Sequence, residues 1–386
     1  MNSSRETDER FLRQALELAR EGIGLASPNP CVGAVIVDDQ GKVIGAGSHT
    51  YDGLKHAEIL ALEQAGNKAR GTTLYVNLEP CSHQGRTGPC ADAIIAAGIR
   101  RVVASMQDPN PRVGGKGFDR LRNAGVTVAS GGLEEEARVL NESFAKYIRD
   151  HIPLVTLKSA MTLDGKIAGP PYQNPRTRGS GVRTEDWITG EPARAHVQEL
   201  RHQNDAILVG VGTVIADDPL LTDRSGRPRR RPLLRVVLDS RLHLPLQSRL
   251  VQTAKNDVLV LYSSAAEKKK RELMDRGVRV EQITSVDAGD RLDMKSIVRH
   301  LGETEITSLM IEGGSTVNGA ALSAGIVDKI FFYYAPKILA GTGSIPFAAG
   351  EGFHGMSAAA YVKSFRLHRF GEDFAVEGYL RDPYEQ

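Results

Sequence analysis

Three residues that bind soft metals and one carboxylate stand in a suggestive order in the first quarter of the chain: His56, Glu58, Cys81 and Cys90. Imidazole nitrogen and thiolate are ligands zinc prefers, and three of them leave a fourth tetrahedral corner for water. Zinc lowers the pKa of such a water to about 7, so hydroxide is available at neutral pH. A neighbouring carboxylate can take the proton and pass it on. The order His-x-Glu, Pro-Cys, Cys is that of zinc deaminases, with a longer gap between the cysteines than the general motif has. The expected chemistry is attack of hydroxide on the amine-bearing carbon of an amidine-like ring, with loss of ammonia. His56, Cys81 and Cys90 are the candidate ligands and Glu58 the candidate proton carrier. Two blander readings compete. Cysteines nine positions apart can be buried apolar residues. They can also be part of a structural zinc site, for which His83 is the only nearby fourth ligand.

These residues need elements that bring them together. Leu12, Ala15, Leu16, Ala19 and Ile23 recur at helical spacing and predict a helix over 7–23. Cys31–Val37 and Lys42–Ala46 read as strands around an Asp-Gln-Gly turn, and a helix follows His56. Thr72–Leu78 reads as a strand ending at Glu79-Pro80-Cys81, and a helix runs from Cys90 to Ala97. Val102–Met106, Gly117–Ala124 and Gly125–Ala129 read as strand, helix and short strand. Residues two apart do not share a face of a regular helix. An N-cap residue lies outside helical geometry, so His56 and Glu58 can still converge at a first turn. A helix N-terminus also favours thiolate.

The second half repeats the alternation. Strands are predicted over 152–158, 206–209, 234–238, 258–262, 308–311 and 329–334, with helices between them such as 191–200 and 265–276. Alternating strands and helices imply α/β layers, and 386 residues favour two domains, placed at 1–148 and 149–386. Gly169–Gly181 and Arg224–Pro232 read as loops. The strand at 308–311 leads through Glu312-Gly313-Gly314-Ser315-Thr316 into a helix. The N–H groups of such a turn can cradle phosphate; it reads equally well as a plain strand–helix turn. No Gly-x-Gly-x-x-Gly follows the first strand of either domain, so a Rossmann site is not indicated.

A net charge of +2 supplies no global field to recruit nucleic acid or an anionic membrane. No stretch is apolar enough to cross a bilayer, and the polar, then amphipathic N-terminus lacks the apolar core of a signal peptide. Of three cysteines, two fall in the motif, which fits a reducing cytosol better than a disulfide scaffold. A cytoplasmic, homo-oligomeric enzyme acting on small molecules is expected. The basic run around Arg227–Arg231 has no interleaved aromatics for base stacking and reads as a solvated loop.

Longer motifs carry a family resemblance. Pro28-Asn29-Pro30-Cys31-Val32-Gly33, His56-Ala57-Glu58, the run Glu79-Pro80-Cys81-Ser82-His83-Gln84-Gly85-Arg86-Thr87-Gly88-Pro89-Cys90 and Asp108-Pro109-Asn110-Pro111 resemble the deaminase half of bifunctional riboflavin-biosynthesis deaminase/reductases. Lys158–Lys166, Trp187-Ile188-Thr189, Asp205–Thr213, Asp217–Thr222 and Glu312-Gly313-Gly314 are similar to the reductase half, in the same order. Thr87-Gly88-Pro89-Cys90 stands where the family usually has Thr-Pro-Pro-Cys. Thr184-Glu185-Asp186 precede Trp187 where the family usually has a Ser, so no role is assigned to Glu185.

The resemblance implies a cytidine-deaminase-like three-layer α/β/α domain followed by a dihydrofolate-reductase-like α/β domain, with Zn2+ in the first and NADPH in the second. It implies deamination of a diamino-ribosylamino-pyrimidinone phosphate and then reduction of its ribosyl group to ribityl. Asn29 and His49 would contact the first substrate; Asn29 reads otherwise as an Asn-Pro turn residue and His49 as a solvated loop histidine. Lys158, Arg201, Leu221, Arg224 and Glu312 would face the second substrate. Ser159, Trp187, Thr213, Asp217, Ser240, Gly314, Ser315 and Thr316 would line the NADPH site. The arginines could hold a phosphate through charge-assisted pairs, or be ordinary surface charges; Trp187 could be a core aromatic. Two other readings are a nucleoside or tRNA base deaminase fused to a regulatory NADPH-sensing domain, and a zinc-stabilised sensor. Salt-sensitive binding would mark the former; the latter has no need of Glu58.

Overall fold

The apolar spacing near the N-terminus produces α1 (Asn2–Arg20), which buries Phe11, Leu12, Ala15, Leu16 and Ala19. The computed structural model describes residues 2–85, 88–170, 187–286 and 291–385, so Glu185 and most of the Gly169–Gly181 loop lie outside the described residues. After α1 come β1 (Gly33–Val37), β2 (Val43–Ser48), α2 (Ala57–Ala65), β3 (Thr73–Leu78), α3 (Cys90–Ala96), β4 (Arg101–Met106), α4 (Lys116–Asn123), β5 (Thr127–Ser130) and α5 (Glu134–Asp150). The strands form one sheet in the order β2-β1-β3-β4-β5. β1 is antiparallel to both neighbours, whereas β3, β4 and β5 run parallel. Strand side chains alternate between faces, so Val35, Val37, Tyr75 and Val103 meet Phe11 and Leu12 of α1 on one face. On the other, α2 lies tight on β2: a Cβ on Gly47 would collide with the Ala57 carbonyl. That close approach fixes the first turn of α2. The sequence reading had no helix at α5. It packs beside α1 and bends at Asn141, where φ is −111° and ψ 16°.

The second unit contains β6 (Leu154–Thr162), β7 (Lys166–Ala168), α6 (Glu191–Gln203), β8 (Ala206–Gly210), α7 (Val211–Asp217), β9 (Leu234–Leu238), α8 (Arg249–Gln252), β10 (Val258–Tyr262), α9 (Glu267–Met274) and β11 (Val278–Gln282). It continues with α10 (Met294–Glu303), β12 (Ser308–Ile311), α11 (Ser315–Ser323), β13 (Lys329–Ala335), β14 (Ile345–Pro346), β15 (Lys363–Phe370) and β16 (Asp373–Tyr379). Nine strands form a sheet ordered β11-β10-β9-β8-β12-β6-β13-β16-β15. Its first seven strands are parallel, and β16 and β15 close it as an antiparallel hairpin. Parallel strands are covered on both faces and read as continuous apolar runs, as in Val258–Tyr262, where every residue is buried. The β15–β16 hairpin escaped the sequence reading because β15 is mostly exposed and mixes charged with aromatic residues.

By its contacts the chain divides into Met1–His151 with Pro228–Arg231, and Ile152–Arg227 with Pro232–Gln386. Among the described residues, no helix is long and apolar enough to cross a membrane.

Candidate active sites

In the first unit the metal-binding residues sit where backbone geometry changes. His56 is the N-cap of α2, with extended φ/ψ of −73° and 156°. Cys81 follows β3, and Cys90 opens α3 after Pro89. His56 Nδ1 lies 3.1 Å from Cys90 Sγ and 3.5 Å from Cys81 Sγ, and the three donor atoms are all within 4.8 Å of one another. Nitrogen and sulfur on one tetrahedral zinc stand about 3.5 Å apart, so the donor set fits that ion. His83 is exposed and outside this trio.

The electrostatics suit the same reading. The Cys90 main-chain N–H donates to Cys81 Sγ at 3.3 Å. Its hydrogen bond with Cys90, helped by His56, holds the Cys81 thiol down at about 4. The same pairing, together with burial, pushes Cys90 up. Two sulfurs that share one proton titrate as a pair, and the site has thiolate character at Cys81. Glu58, in the first turn of α2, is only 3 % exposed. Burial, and then the negative Cys81, raise its pKa to about 7. A carboxyl poised near neutrality can both accept and return a proton.

Asn29 and His49 belong to the same neighbourhood. Asn29 Nδ2 lies 3.0 Å from His49 Nε2, and His49 Nδ1 is 2.9 Å from the Lys55 carbonyl. The carbonyl can only accept, so the network assigns the His49 proton to Nδ1 and makes Nε2 the acceptor for Asn29. The His49 and His56 rings meet edge to face, with centroids 5.2 Å apart. His49 is buried, which rules out a solvated loop position. Asn29 is a turn residue as well, donating its N–H to the Ala26 carbonyl at 2.9 Å.

Three supporting residues were missed in the sequence. Buried Glu79 accepts four main-chain N–H groups: Gly117 (2.7 Å) and Phe118 (3.2 Å) at Oε1, Gly115 (2.8 Å) and Asp108 (3.1 Å) at Oε2. A backbone nest of this kind holds an anion, and here the anion is the side chain two residues before Cys81. A Cβ on Gly117 would collide with the Pro80 carbonyl, so the glycines of Gly114-Gly115-Lys116-Gly117 were the available signal. Asn77 and Asn141 grip the other side: Asn77 donates to the Cys31 carbonyl and accepts from Gly33 N–H (2.9 and 2.8 Å), and Asn141 accepts from Cys31 N–H at 2.8 Å. Both carboxamides are buried and steady the chain next to Asn29.

In the second unit, candidate residues gather at the carboxyl ends of parallel strands, where open α/β sheets bind ligands. Glu312, just past β12, accepts both Nε (2.8 Å) and Nη2 (3.0 Å) of Arg201, and Lys158 Nζ is 3.5 Å from its Oε2. Burial alone would raise Glu312, but Lys158 and Arg201 outweigh it and hold the carboxyl at about 2. Arg201 is buried, and its Nη1 donates to the Thr222 carbonyl at 3.1 Å. Its fork is therefore engaged with the protein, while Arg224 is exposed. The Leu221 side chain is buried in the core, so only its main chain, at φ 54°, can face a ligand.

The glycine-rich turn lies where α11 begins, with Gly314 as N-cap. A Cβ on Gly314 would touch Thr213 Oγ1 at 3.5 Å, so the starts of α7 and α11 are neighbours. Ser315 Oγ is buried and, among the described residues, has no hydrogen-bond partner. An orphaned hydroxyl at a helix start suits a phosphate-bearing cofactor. Ser159 is buried on β6, and Asp217 ends α7. The main chains of Ser240 and Trp187 are held by neighbours: the Ser240 carbonyl accepts from Ser263 and Ser264, and the Trp187 carbonyl accepts from Lys337 Nζ at 2.8 Å. Trp187 is 44 % exposed, with the Arg194 guanidinium 4.9 Å above its ring, so it is not a core aromatic.

A zinc-type ligand trio with a tuned glutamate, joined on one chain to a cofactor-type α/β sheet, defines a two-part enzyme: a deaminase domain followed by a reductase domain. Residues 5–106 match the family described as the cytidine and deoxycytidylate deaminase zinc-binding region, and residues 153–376 match the RibD C-terminal domain. The chain is 41 % identical to the riboflavin biosynthesis protein RibD of Actinobacillus pleuropneumoniae, over 98 % of this chain and 96 % of that protein. It is 39 % identical to the RibD of Escherichia coli, over 96 % and 98 %. Among solved structures, a diaminohydroxyphosphoribosylaminopyrimidine deaminase/5-amino-6-(5-phosphoribosylamino)uracil reductase from Thermotoga maritima superimposes with a TM-score of 0.80 at 37 % identity, covering 97 % of this chain and 99 % of that one. The chain belongs to the RibD family, the bifunctional deaminase/reductases of riboflavin biosynthesis, whose two halves use zinc and NADPH.

Proposed function

We propose that the first site removes the 2-amino group of 2,5-diamino-6-ribosylamino-4(3H)-pyrimidinone 5′-phosphate. The second then reduces the ribosyl group of 5-amino-6-(5-phosphoribosylamino)uracil to ribityl. The observation that carries the first half is the His56–Cys81–Cys90 trio with Glu58 buried beside it. His56, Cys81 and Cys90 hold the metal, which when bound supplies Lewis-acid activation of the attacking water. Glu58 carries one proton of that water to the ring nitrogen and then the second to the leaving amine. Water enters and ammonia leaves, and Glu58 ends as it began. Asn29 and His49 hold the edge of the pyrimidine.

In the second site Lys158, Arg201, Arg224, Glu312 and the main chain of Leu221 face the sugar phosphate. Arg224 is the exposed cation for the phosphate, while Arg201 orients Glu312. Ser159, Trp187, Thr213, Asp217, Ser240 and Gly314 to Thr316 bind NADPH, which supplies the hydride. We place the enzyme in the cytoplasm as a homo-oligomer. Phe365 and Leu367 on edge strand β15 are 64 % and 67 % exposed. An exposed apolar edge strand is normally covered, and a second copy of the chain is the proposed cover. Light scattering during gel filtration should give a mass at least twice 41.8 kDa.

The activity test uses the diamino-pyrimidinone phosphate with and without NADPH. Ammonia should appear in both samples, and NADPH should be oxidised only after deamination. NADPH oxidation with no ammonia released would overturn the assigned order.

A further inference from the structure

Loop 220–225 of the second unit lies between α7 and the strand β9, and four of its residues are staked from other elements. The Leu220 carbonyl accepts from buried Arg235 on β9 (3.1 Å), and the Thr222 carbonyl from Arg201 on α6 (3.1 Å). Asp223 Oδ2 is 2.9 Å from His202 Nδ1, and Arg224 N–H donates to Gln198 Oε1 at 3.0 Å. Gln198, Arg201 and His202 all belong to α6, so one helix grips three consecutive residues. The backbone held this way includes Leu221 at φ 54°, a conformation a branched apolar residue adopts only under constraint.

The His202–Asp223 contact stands out. The two side chains are only 2 % and 6 % exposed. Asp223 also uses Oδ1 to accept the Ser225 N–H at 2.9 Å, so its carboxylate closes a turn around Arg224. A buried His–carboxylate pair is weak as a source of stability, because apolar residues of similar size pack as well. What it supplies is direction: it joins the turn that carries Arg224 to a helix that also orients Glu312.

We propose that His202 and Asp223 are positioning residues for the second reaction. They fix the backbone of loop 220–225, and so set the Arg224 guanidinium against the 5′-phosphate of the sugar substrate. This rests on the reading of Arg224 as the phosphate contact. Because Arg224 is exposed, its placement depends on the backbone beneath it. Loss of the pair therefore weakens substrate binding in the reductase and leaves deamination alone.

The test is steady-state kinetics on the full chain, with ammonia release measured in the same preparations as an internal control. Arg224→Ala should raise KM for the sugar-phosphate substrate by about tenfold or more, as loss of a charge-assisted contact implies. His202→Leu, apolar and close in size, should raise the same KM about three- to tenfold, with kcat and KM for NADPH changed less than about twofold. His202→Asn should restore most of the affinity, because its amide can donate to Asp223 as Nδ1–H does. If His202→Leu does not fold, Asp223→Asn carries the same test with a smaller rise in KM. A normal KM in the His202 and Asp223 variants beside a raised KM in Arg224→Ala would overturn the positioning role. An unchanged KM in Arg224→Ala would instead refute Arg224 as the phosphate contact.

Discussion

Glu58 is buried and Glu312 largely so, each at the heart of a site, and their surroundings push them in opposite directions. Glu58 has a negative thiolate as a close neighbour, and burial dominates, so its pKa rises to about 7. Glu312 is pinned between Lys158 and Arg201, which overcome burial and hold it at about 2. A carboxyl near 7 exchanges protons at working pH, whereas one near 2 is a permanent anion. The first glutamate suits chemistry and the second suits architecture: it holds two cations that would otherwise repel each other. Glu79 shows a third solution. Its carboxylate is held by four main-chain N–H groups. One side chain serves as proton carrier, counter-ion or backbone anchor according to its neighbours.

The sharpest way to break this comparison is Glu58→Gln. Deamination should fall by at least about a hundredfold, as removal of a general acid–base implies, with bound zinc retained by metal analysis. Reduction of already deaminated substrate should be unaffected. Ammonia release near the normal rate would show that the proton travels by another group.

Glu312→Gln should have the next largest effect and a different character. It leaves Lys158 and Arg201 without the carboxylate they share, which costs about 3–5 kcal/mol for a broken buried pair. Thermal unfolding should show loss of stability in the second unit, with reductase activity lost and ammonia release kept. A stable variant with normal NADPH oxidation would remove the architectural role.

Glu79→Gln tests the third solution. An amide presents N–H where two of the main-chain donors need an acceptor, so about 2–3 kcal/mol should be lost. Hydrogen exchange should quicken at Gly115, Gly117 and Phe118, and zinc affinity should weaken through Cys81. The reductase should not respond.

These neighbours divide into those visible in the sequence and those not. His56 before a helix, Cys81 after a strand and Cys90 at a helix start follow from local periodicity, and each forms where the spacing predicts. The alternating strands and helices likewise gave two α/β layers. The partners of Glu79 are 29 to 39 positions away, and Asn141 reaches Cys31 across 110. Nothing in local periodicity ties such residues together; only the glycines after Asp108-Pro109-Asn110-Pro111 hinted at a nest. Arg201 and Arg224 look alike in sequence, and only the fold makes one a buried clamp and the other an exposed cation.

The smallest expected effect concerns pH and separates the two glutamates without touching activity. In metal-free protein the Glu58 pKa is raised above its unfolded value of 4.5. Its contribution to stability is therefore fully present below about 4.5 and lost as pH rises through about 7. Glu312 has the opposite sign: its pKa is depressed, so its contribution is present above 4.5 and lost as pH falls through about 2. Between pH 5 and 8 the metal-free first unit should lose about 1–3 kcal/mol relative to Glu58→Gln, which has nothing to titrate. The second unit should show no dependence on Glu312 over that range. Denaturant unfolding of both proteins at several pH values, followed by hydrogen exchange in each unit, measures the difference. Parallel curves for wild type and Glu58→Gln would mean that Glu58 is not held near neutrality, and the contrast with Glu312 would collapse.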